Sequence, residues 1–399
     1  MRRVFIVSAC RTPIGKMGGG LSTIGAAELG AKVISEAIDR AGIEPSQVEH
    51  VSLGCVIQAA LGQNVARQAA IASGIPDTST ALTMNVVCGS GLESVNDAAR
   101  RILLNEADIV VAGGVENMSA APFALKNARF GYRMGAPMIN SPLIDTMVND
   151  ALWDAINDYH MGVTAENVAK KWGLTRDDLD SFSLDSQKKA QNAIENGLFA
   201  DEIVPVAIKS KKGEILVDKD ESPRANLTIE DLAKLKPAFK KDGIVTAGNA
   251  SSINDGAAAV ILISEEKMLE LGLTPMAEWI GGTLAGVDPA IMGVGPIYST
   301  RKLLDRLDLN IEDIDLFEMN EAFAAQSIVV KRELGIPSEK LNINGGAIAL
   351  GHPVGASGCR ILVTLLYNMI RNQAQTGLAS LCVGGGMGCS VIVKREKQV

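Results

Sequence analysis

The chain has 399 residues, 47% hydrophobic and 21% charged, which is enough for a large core and more than one domain's usual length. The net charge is −8, from 46 acidic and 38 basic residues, and the absence of a long basic run argues against nucleic acid as a partner. No stretch reaches transmembrane length free of charge, and six scattered cysteines do not form a secreted disulfide frame, so reduced thiols are expected, with a cytoplasmic address or a processed mature chain.

Val4–Ser8 reads as a buried first strand; its apolar run meets Arg11 too soon for a signal peptide. Ala26–Ala41 is predicted as a helix ending at Gly42. Val51–Val56 and Thr80–Met84 are predicted strands, with His50 a surface residue ahead of the first. Leu92, Val95, Ala99, Ile102 and Leu103 mark the apolar face of a helix, and Asp108–Ala112 is a strand ending at Gly113-Gly114. This alternation predicts an α/β architecture with helices on a mostly parallel sheet.

Residues 118–248 differ in texture. They hold an irregular stretch, Phe130-Gly131-Tyr132-Arg133-Met134-Gly135, and polar helices over Thr164–Trp172 and Arg176–Asn196. A segment this long between regular elements is usually functional. An acidic chain binding an anionic substrate needs a local basic patch. Lys209-Ser210-Lys211-Lys212, or Arg224 with Lys234 and Lys236, are the candidates.

Gly256–Ile263 then reads as a strand returning to the first half. Further strands are predicted at Ala277–Leu284, Asp315–Phe317, Leu378–Val383 and Cys389–Val393, and helices at Tyr298–Leu307, Ala322–Leu334 and Gly355–Arg371. The last carries Leu362, Leu365, Leu366 and Met369 on one side. Val111-Ala112-Gly113-Gly114 resembles Val383-Gly384-Gly385-Gly386, and each lies downstream of a glycine-containing turn into a helix. This points to an internal duplication that would bring Cys88 and His352 to one site.

The chemistry is carried by Asn85-Val86-Val87-Cys88-Gly89-Ser90-Gly91, by Gly351-His352-Pro353-Val354-Gly355, and by Cys382 ahead of Gly384-Gly385-Gly386. A thiol nucleophile, an imidazole base and a second thiol equip a chain for acyl transfer through a thioester. Cys88 is placed where a helix begins, so the helix terminus is expected to favour thiolate and lower its pKa. Asn320-Glu321-Ala322-Phe323 lies at a strand-to-helix junction, where Asn320 suits a helix cap. Three glycines after the strand of Cys382 suggest close backbone approach to a ligand. No cysteine or histidine spacing suggests a metal site, and no Gly-x-Gly-x-x-Gly opening a helix suggests a nicotinamide cofactor.

These neighbourhoods, with His160-Met161-Gly162 and Gly248-Asn249-Ala250-Ser251, occur in the order seen in thiolases, the acyl-CoA:acetyl-CoA acyltransferases, and the chain resembles that family from Val4 to Val393. The resemblance implies a thiolase-like α/β fold: two pseudo-symmetric halves forming a layered core, with an inserted loop domain. The expected division is 1–117 with 249–270, 118–248 as the loop domain covering CoA, and 271–399. Cys88 would carry the acyl group, His352 would deprotonate it, and Cys382 would move the α-proton of a second acetyl-CoA. The N–H groups of Cys88 and Gly384 would form one oxyanion hole, and His352 with an Asn320-held water would hold the enolate oxygen.

By the same resemblance, His160 and Met161 line the acyl or pantetheine pocket, and His160-Met161-Gly162 marks the short-chain, acetoacetyl-CoA type. Ser251 with Ala247 contacts pantetheine, Arg224 meets the adenosine phosphates, and Ala322 and Phe323 belong to the substrate pocket. Ser252 replaces a glycine common in relatives, a change bearing on loop flexibility. The implied reaction is ping-pong condensation of two acetyl-CoA to acetoacetyl-CoA, with CoA thioesters as substrates and no separate cofactor, in a homotetramer built from dimers. Rival readings are a broader-chain degradative 3-ketoacyl-CoA thiolase, a β-ketoacyl synthase on the same fold, and a non-catalytic CoA-binding protein. A synthase would need a second histidine where this chain has Asn320.

Overall fold

A computed structural model describes residues 2–132, 143–210 and 213–395. Arg133, Met134 and Gly135 of the irregular stretch, and Lys211 and Lys212 of one basic candidate, lie outside these. The core is one ten-stranded sheet. Its principal strands are β1 (Val4–Arg11), β2 (His50–Gly54), β3 (Thr80–Met84), β4 (Ile109–Asn117), β5 (Asn254–Ser264), β6 (Ala277–Gly286), β7 (Leu316–Met319), β8 (Thr376–Val383) and β9 (Met387–Lys394). The two-residue segment Gly15–Lys16 pairs with the start of β5.

The order is β7-β8-β9-β6-β1-β5-β4-β2-β3, and it is symmetric about the β6–β1 junction. Outward from β1, the pairings are antiparallel to β5, antiparallel to β4, parallel to β2 and parallel to β3. Outward from β6 they are antiparallel to β9, antiparallel to β8 and parallel to β7, with a last parallel bridge from Phe317 to Leu341. The repeated order supports the expected duplication, although the two glycine motifs are not equivalent within it: one lies inside β4 and the other follows β8. It also corrects the expectation of a mostly parallel sheet: parallel pairing is confined to the outer strands, because β5 and β9 return directly beside β4 and β8.

The two halves differ at one connection. β8 passes to β9 through Gly384-Gly385-Gly386, whereas β4 passes to β5 through residues 118–253. A long excursion in one half therefore stands where a tight turn stands in the other.

Alternating side chains divide the core into three layers. Val4 and Ile6 of β1, Val110 and Ala112 of β4, and Leu381 and Val383 of β8 face a central layer holding helices α2 (Ser90–Leu103) and α7 (Ser357–Arg371). Phe5 and Val7, with Ile109 and Val111, face α1 (Ala26–Ala41) on the outer side of the first half. Leu378 and Ile392 share an apolar cluster with α3 (Met161–Trp172), α4 (Arg176–Glu195), α5 (Gly295–Leu307) and α6 (Ala324–Leu334) on the outer side of the second. Both faces of the central strands are covered, which is why they read as nearly continuous apolar runs.

Helices α2 and α7 cross at their first turns. A side chain on Gly91 would meet Gly355 O at 2.8 Å and Cys359 N at 2.9 Å, and one on Gly358 would strike the backbone of Leu92. Only residues without Cβ allow this approach, and it joins the turn of Cys88 to the turn of His352. Gly113-Gly114 does not end β4 as expected. The pair sits inside the strand, where Gly114 lies against the Gly355 carbonyl. His50 also departs from expectation: it opens β2, is buried, and bonds through Nδ1 to Thr80 Oγ1 at 2.6 Å. Burial, reinforced by Arg101, lowers its pKa to about 4.

Candidate active site

Cys88 stands in a tight turn between β3 and α2. Val87 before it has φ of 45°, the left-handed region that a β-branched residue rarely enters. The turn is held by Val86 N–H donating to Ser90 Oγ at 2.8 Å, Ser90 Oγ donating to Val87 O at 2.6 Å, and Gly89 N–H donating to Val86 O at 2.9 Å. The backbone N–H groups of Gly384 and of Cys88 itself are directed at the thiol. Burial pushes the Cys88 thiol up to about 11, although those two donors pull it down. The expected resting thiolate is therefore corrected. Desolvation outweighs the helix terminus and the N–H donors, so the nucleophile rests as a thiol and needs a base.

His352 supplies one. It lies in the turn ahead of α7, with its N–H donating to Asn254 Oδ1 at 2.9 Å. Ser357 Oγ is 2.8 Å from Pro353 O, to which it donates, and 2.6 Å from His352 Nδ1. The hydroxyl has a single proton, so the imidazole must donate Nδ1–H to Ser357 Oγ. Nε2 then keeps its lone pair, and it is a buried atom with no partner among the described residues. Burial, reinforced by the charge of Arg360, lowers the His352 pKa to about 3. The ring is a neutral base.

Cys382, the penultimate residue of β8, is fully buried. Burial raises its thiol well above the usual range, and the neighbouring Cys88 sulfur raises it further. Asn320 directly follows β7 and is also buried. Its Nδ2 lies 3.4 Å from His352 Nδ1, and Arg360 donates to its Oδ1 at 3.5 Å. Asn320 does not cap α6: that position belongs to Phe323, three residues later, and carries no side-chain cap bond.

A cavity of about 630 Å³ opens beside these groups. Cys88, His352 and Gly384 line its inner end, and His160, Met161, Ala322 and Phe323 its walls. Arg224, Ala247 and Ser251 lie toward its mouth, with Ala247 exposed and Ser251 half-buried. Cys382 and Asn320 are behind this lining. Ser251 N–H donates to Ala322 O at 3.0 Å, tying the two substrate-pocket segments together. Ser252 Oγ donates to Asn254 Oδ1 at 2.8 Å, the same oxygen that receives His352 N–H. The departure at 252 thus reaches the base's turn.

His160 begins α3 with its Nδ1 accepting Gly162 N–H at 3.0 Å, and its ring stacks on Phe239 at 4.7 Å. Burial lowers its pKa. Of the basic candidates among the described residues, Arg224 alone lines the cavity. Lys234 is exposed and pairs with Asp231 at 3.0 Å, Lys236 is exposed, and Lys209 is exposed on a hairpin.

Several contributors escaped the sequence reading. Phe239, Met118 and Met292 line the cavity, as does Lys16, which pairing at the edge of β5 brings to its mouth. Buried Glu116 accepts N–H groups from Val56, Ile57 and Gly355 at 3.0, 3.1 and 2.9 Å, fastening the His352 turn to the loop after β2. One signal was available: Ser357, Arg360, Thr364 and Asn368 make a polar stripe at helical spacing opposite the apolar face of α7, and all four are buried.

The fold and the thiol–imidazole site define an acyl-transfer enzyme of the thiolase family, to which this chain belongs. The family model "Thiolase, N-terminal domain" matches residues 4–266, and "Thiolase, C-terminal domain" matches residues 273–395. The acetyl-CoA acetyltransferase of Syntrophomonas wolfei is 58% identical, covering 98% of this chain and 99% of that protein. That of Pseudomonas aeruginosa is 55% identical over 99% and 100%. Two crystal structures superpose with a TM-score of 0.96 and coverage of 99% of both chains. They are the Bacillus anthracis acetyl-CoA acetyltransferase at 47% identity and human mitochondrial 3-ketoacyl-CoA thiolase at 40%.

Proposed function

We propose that this chain is an acetyl-CoA acetyltransferase, condensing two acetyl-CoA to acetoacetyl-CoA and CoA and catalysing thiolysis in reverse. The full-length likeness to proteins bearing that name supports the reaction. The observation that carries the chemistry is the unpartnered Nε2 of a neutral His352 on a cavity whose inner end also holds the Cys88 thiol.

Protons balance through two neutral thiols. Cys88 gives its proton to His352 Nε2 as its sulfur attacks the first acetyl-CoA, and the CoA thiolate leaves with the proton of Cys382. The second acetyl-CoA then gives its α-proton to the Cys382 thiolate. Its carbanion attacks acetyl-Cys88, and the departing Cys88 sulfur recovers the proton from His352. The N–H groups of Cys88 and Gly384 would stabilise the tetrahedral oxyanion, and Asn320 with His352 the enolate oxygen. Both thiols and the imidazole return to their starting states.

His160, Met161, Ala322 and Phe323 would hold the acyl and pantetheine end, Ser251 and Ala247 the pantetheine arm, and Arg224 the phosphates. Residues 118–248 serve in this reading as the cover for CoA, between a first half (1–117 and 249–270) and a second (271–399). CoA thioesters are the only small molecules the scheme requires. Among the described residues no helix is long and apolar enough to cross a membrane; a cytoplasmic homotetramer is the assembly we infer from the family. Mass spectrometry after incubation with labelled acetyl-CoA tests the reading: the label should map to Cys88 and vanish in Cys88→Ala.

A further inference from the structure

We propose that Arg360, on the buried face of α7, is a positioning residue for the Asn320–His352 pair, fixing which end of the Asn320 carboxamide faces the imidazole. The inference rests on the reading of Cys88 and His352 given above. Four residues from two elements carry it. Ser357 and Arg360 are three apart on the first turn of α7 and so share a face. Glu318 and Asn320 are two apart at the end of β7 and likewise share a side. Ser357 accepts from His352 Nδ1, while Arg360 donates to Asn320 Oδ1 at 3.5 Å.

A guanidinium can only donate, so the carboxamide oxygen must turn toward Arg360. Nδ2 is then left on the imidazole side, 3.4 Å from Nδ1. With Nδ1–H already given to Ser357, the amide protons remain free for an acceptor in the site. Reversal of the carboxamide would present a second acceptor to the enolate oxygen that the reaction must stabilise.

Arg360 holds this place at a cost. It is 2% exposed, and its Nε and Nη1 have no partner among the described residues. The acidic side chain nearest it in charge, Glu318, accepts from Asn368 Nδ2 at 3.1 Å, is pushed up to about 8 by burial against the pull of Arg360, and makes no direct ion pair with Arg360 among the described residues. Arg11 at the end of β1, with Glu202 and Asp220 of the segment between β4 and β5, also act on Arg360, and they form their own closed pairs. A buried cation left this short of partners is seldom a source of stability. Its location one turn from Ser357 and against Asn320 supplies a reason for it. The same charge is the one that helps keep His352 unprotonated.

The test compares R360Q, R360K and the double variant E318Q/R360M. The readouts are acetoacetyl-CoA thiolysis across pH and acetylation of Cys88 in a single turnover. R360Q should lower kcat about tenfold or more with little change in KM, and move the acid limb of kcat/KM upward by roughly one pH unit. R360K keeps the charge but not the planar fork, so its acid limb should stay while kcat still falls. The double variant removes both buried ionisable groups and should show the same kcat loss while melting near the wild type. Wild-type kcat in any folded member of this set overturns the inference. If R360Q and the double variant fail to fold, R360K decides it alone. Activity retained by Cys88→Ala would instead overturn the reading of the site; an inactive Cys88→Ala beside fully active Arg360 variants would sink only the role of Arg360.

Discussion

Ser357 Oγ donates its one proton to Pro353 O and accepts a hydrogen bond from Nδ1–H of His352 at 2.6 Å, which leaves His352 Nε2 as a lone-pair base with no partner among the described residues. A hydroxyl that is not in the reaction thereby sets the tautomer of the group that is. Ser357→Ala should leave acetylation of Cys88 possible but slower by about tenfold, because Nδ1–H loses its acceptor and the ring its orientation. Single-turnover acetylation measures this. An unchanged rate would mean that another acceptor fixes the ring.

Cys382→Ala should still take an acetyl group on Cys88 but fail to condense, with kcat reduced by roughly 10²–10⁴. His352→Ala should slow both steps. Quenched-flow mass spectrometry separates acylated from condensed enzyme, and normal condensation by Cys382→Ala would remove it from the proton cycle.

The free enzyme should hold Cys88 as a thiol. Its alkylation by iodoacetamide should therefore rise about tenfold per pH unit from pH 7 toward the group's value of about 11. A rate that levels off below pH 8 would show a resting thiolate, and with it a stronger pull from the two N–H donors than burial allows.

His50 and His352 are both buried as neutral rings, at about 4 and about 3 against an ordinary 6.5. The folded state binds fewer protons than the unfolded state over that interval. Their contribution to stability is complete above about pH 6.5 and is lost as pH falls toward the folded values. The urea midpoint should thus drop between pH 7 and pH 4. His50→Gln, which keeps a polar partner for Thr80, should flatten part of that drop; an equal slope in the variant would assign the loss elsewhere.

The cavity walls should favour short acyl groups, with acetoacetyl-CoA thiolysed much faster than 3-ketooctanoyl-CoA. Phe239→Ala removes the ring on which His160 stacks and opens the wall, so it should narrow that preference by raising relative activity on the longer chain. Specificity constants across chain lengths check this. Comparable constants in the wild type would favour the broad degradative reading.

The sequence by itself determined the local chemistry and most element positions. The glycine-flanked Cys88, His352 and Cys382 were legible because each combines a reactive side chain with a turn that only small residues permit. The predicted helix over Ala26–Ala41 and strand over Thr80–Met84 match the structure residue for residue, since periodicity and a terminating glycine are local signals. The duplication was legible in the repeated order of elements, but the glycine motifs offered for it are not equivalent: Gly113-Gly114 lies inside β4, whereas Gly384-Gly385-Gly386 follows β8. Tertiary structure alone decided the rest. Strand direction depends on which strand returns beside which, so the mixed sheet could not be read from alternation of elements. The rise of the Cys88 thiol depends on how far burial removes it from water, which a helix-start motif does not report. His50 became a buried ring only because β2 is covered on both faces. Arg360 and Glu116 act through neighbours distant in sequence, Asn320 and Gly355 among them. Those pairings exist only once the first turns of α2 and α7 have been brought together at Gly91 and Gly358.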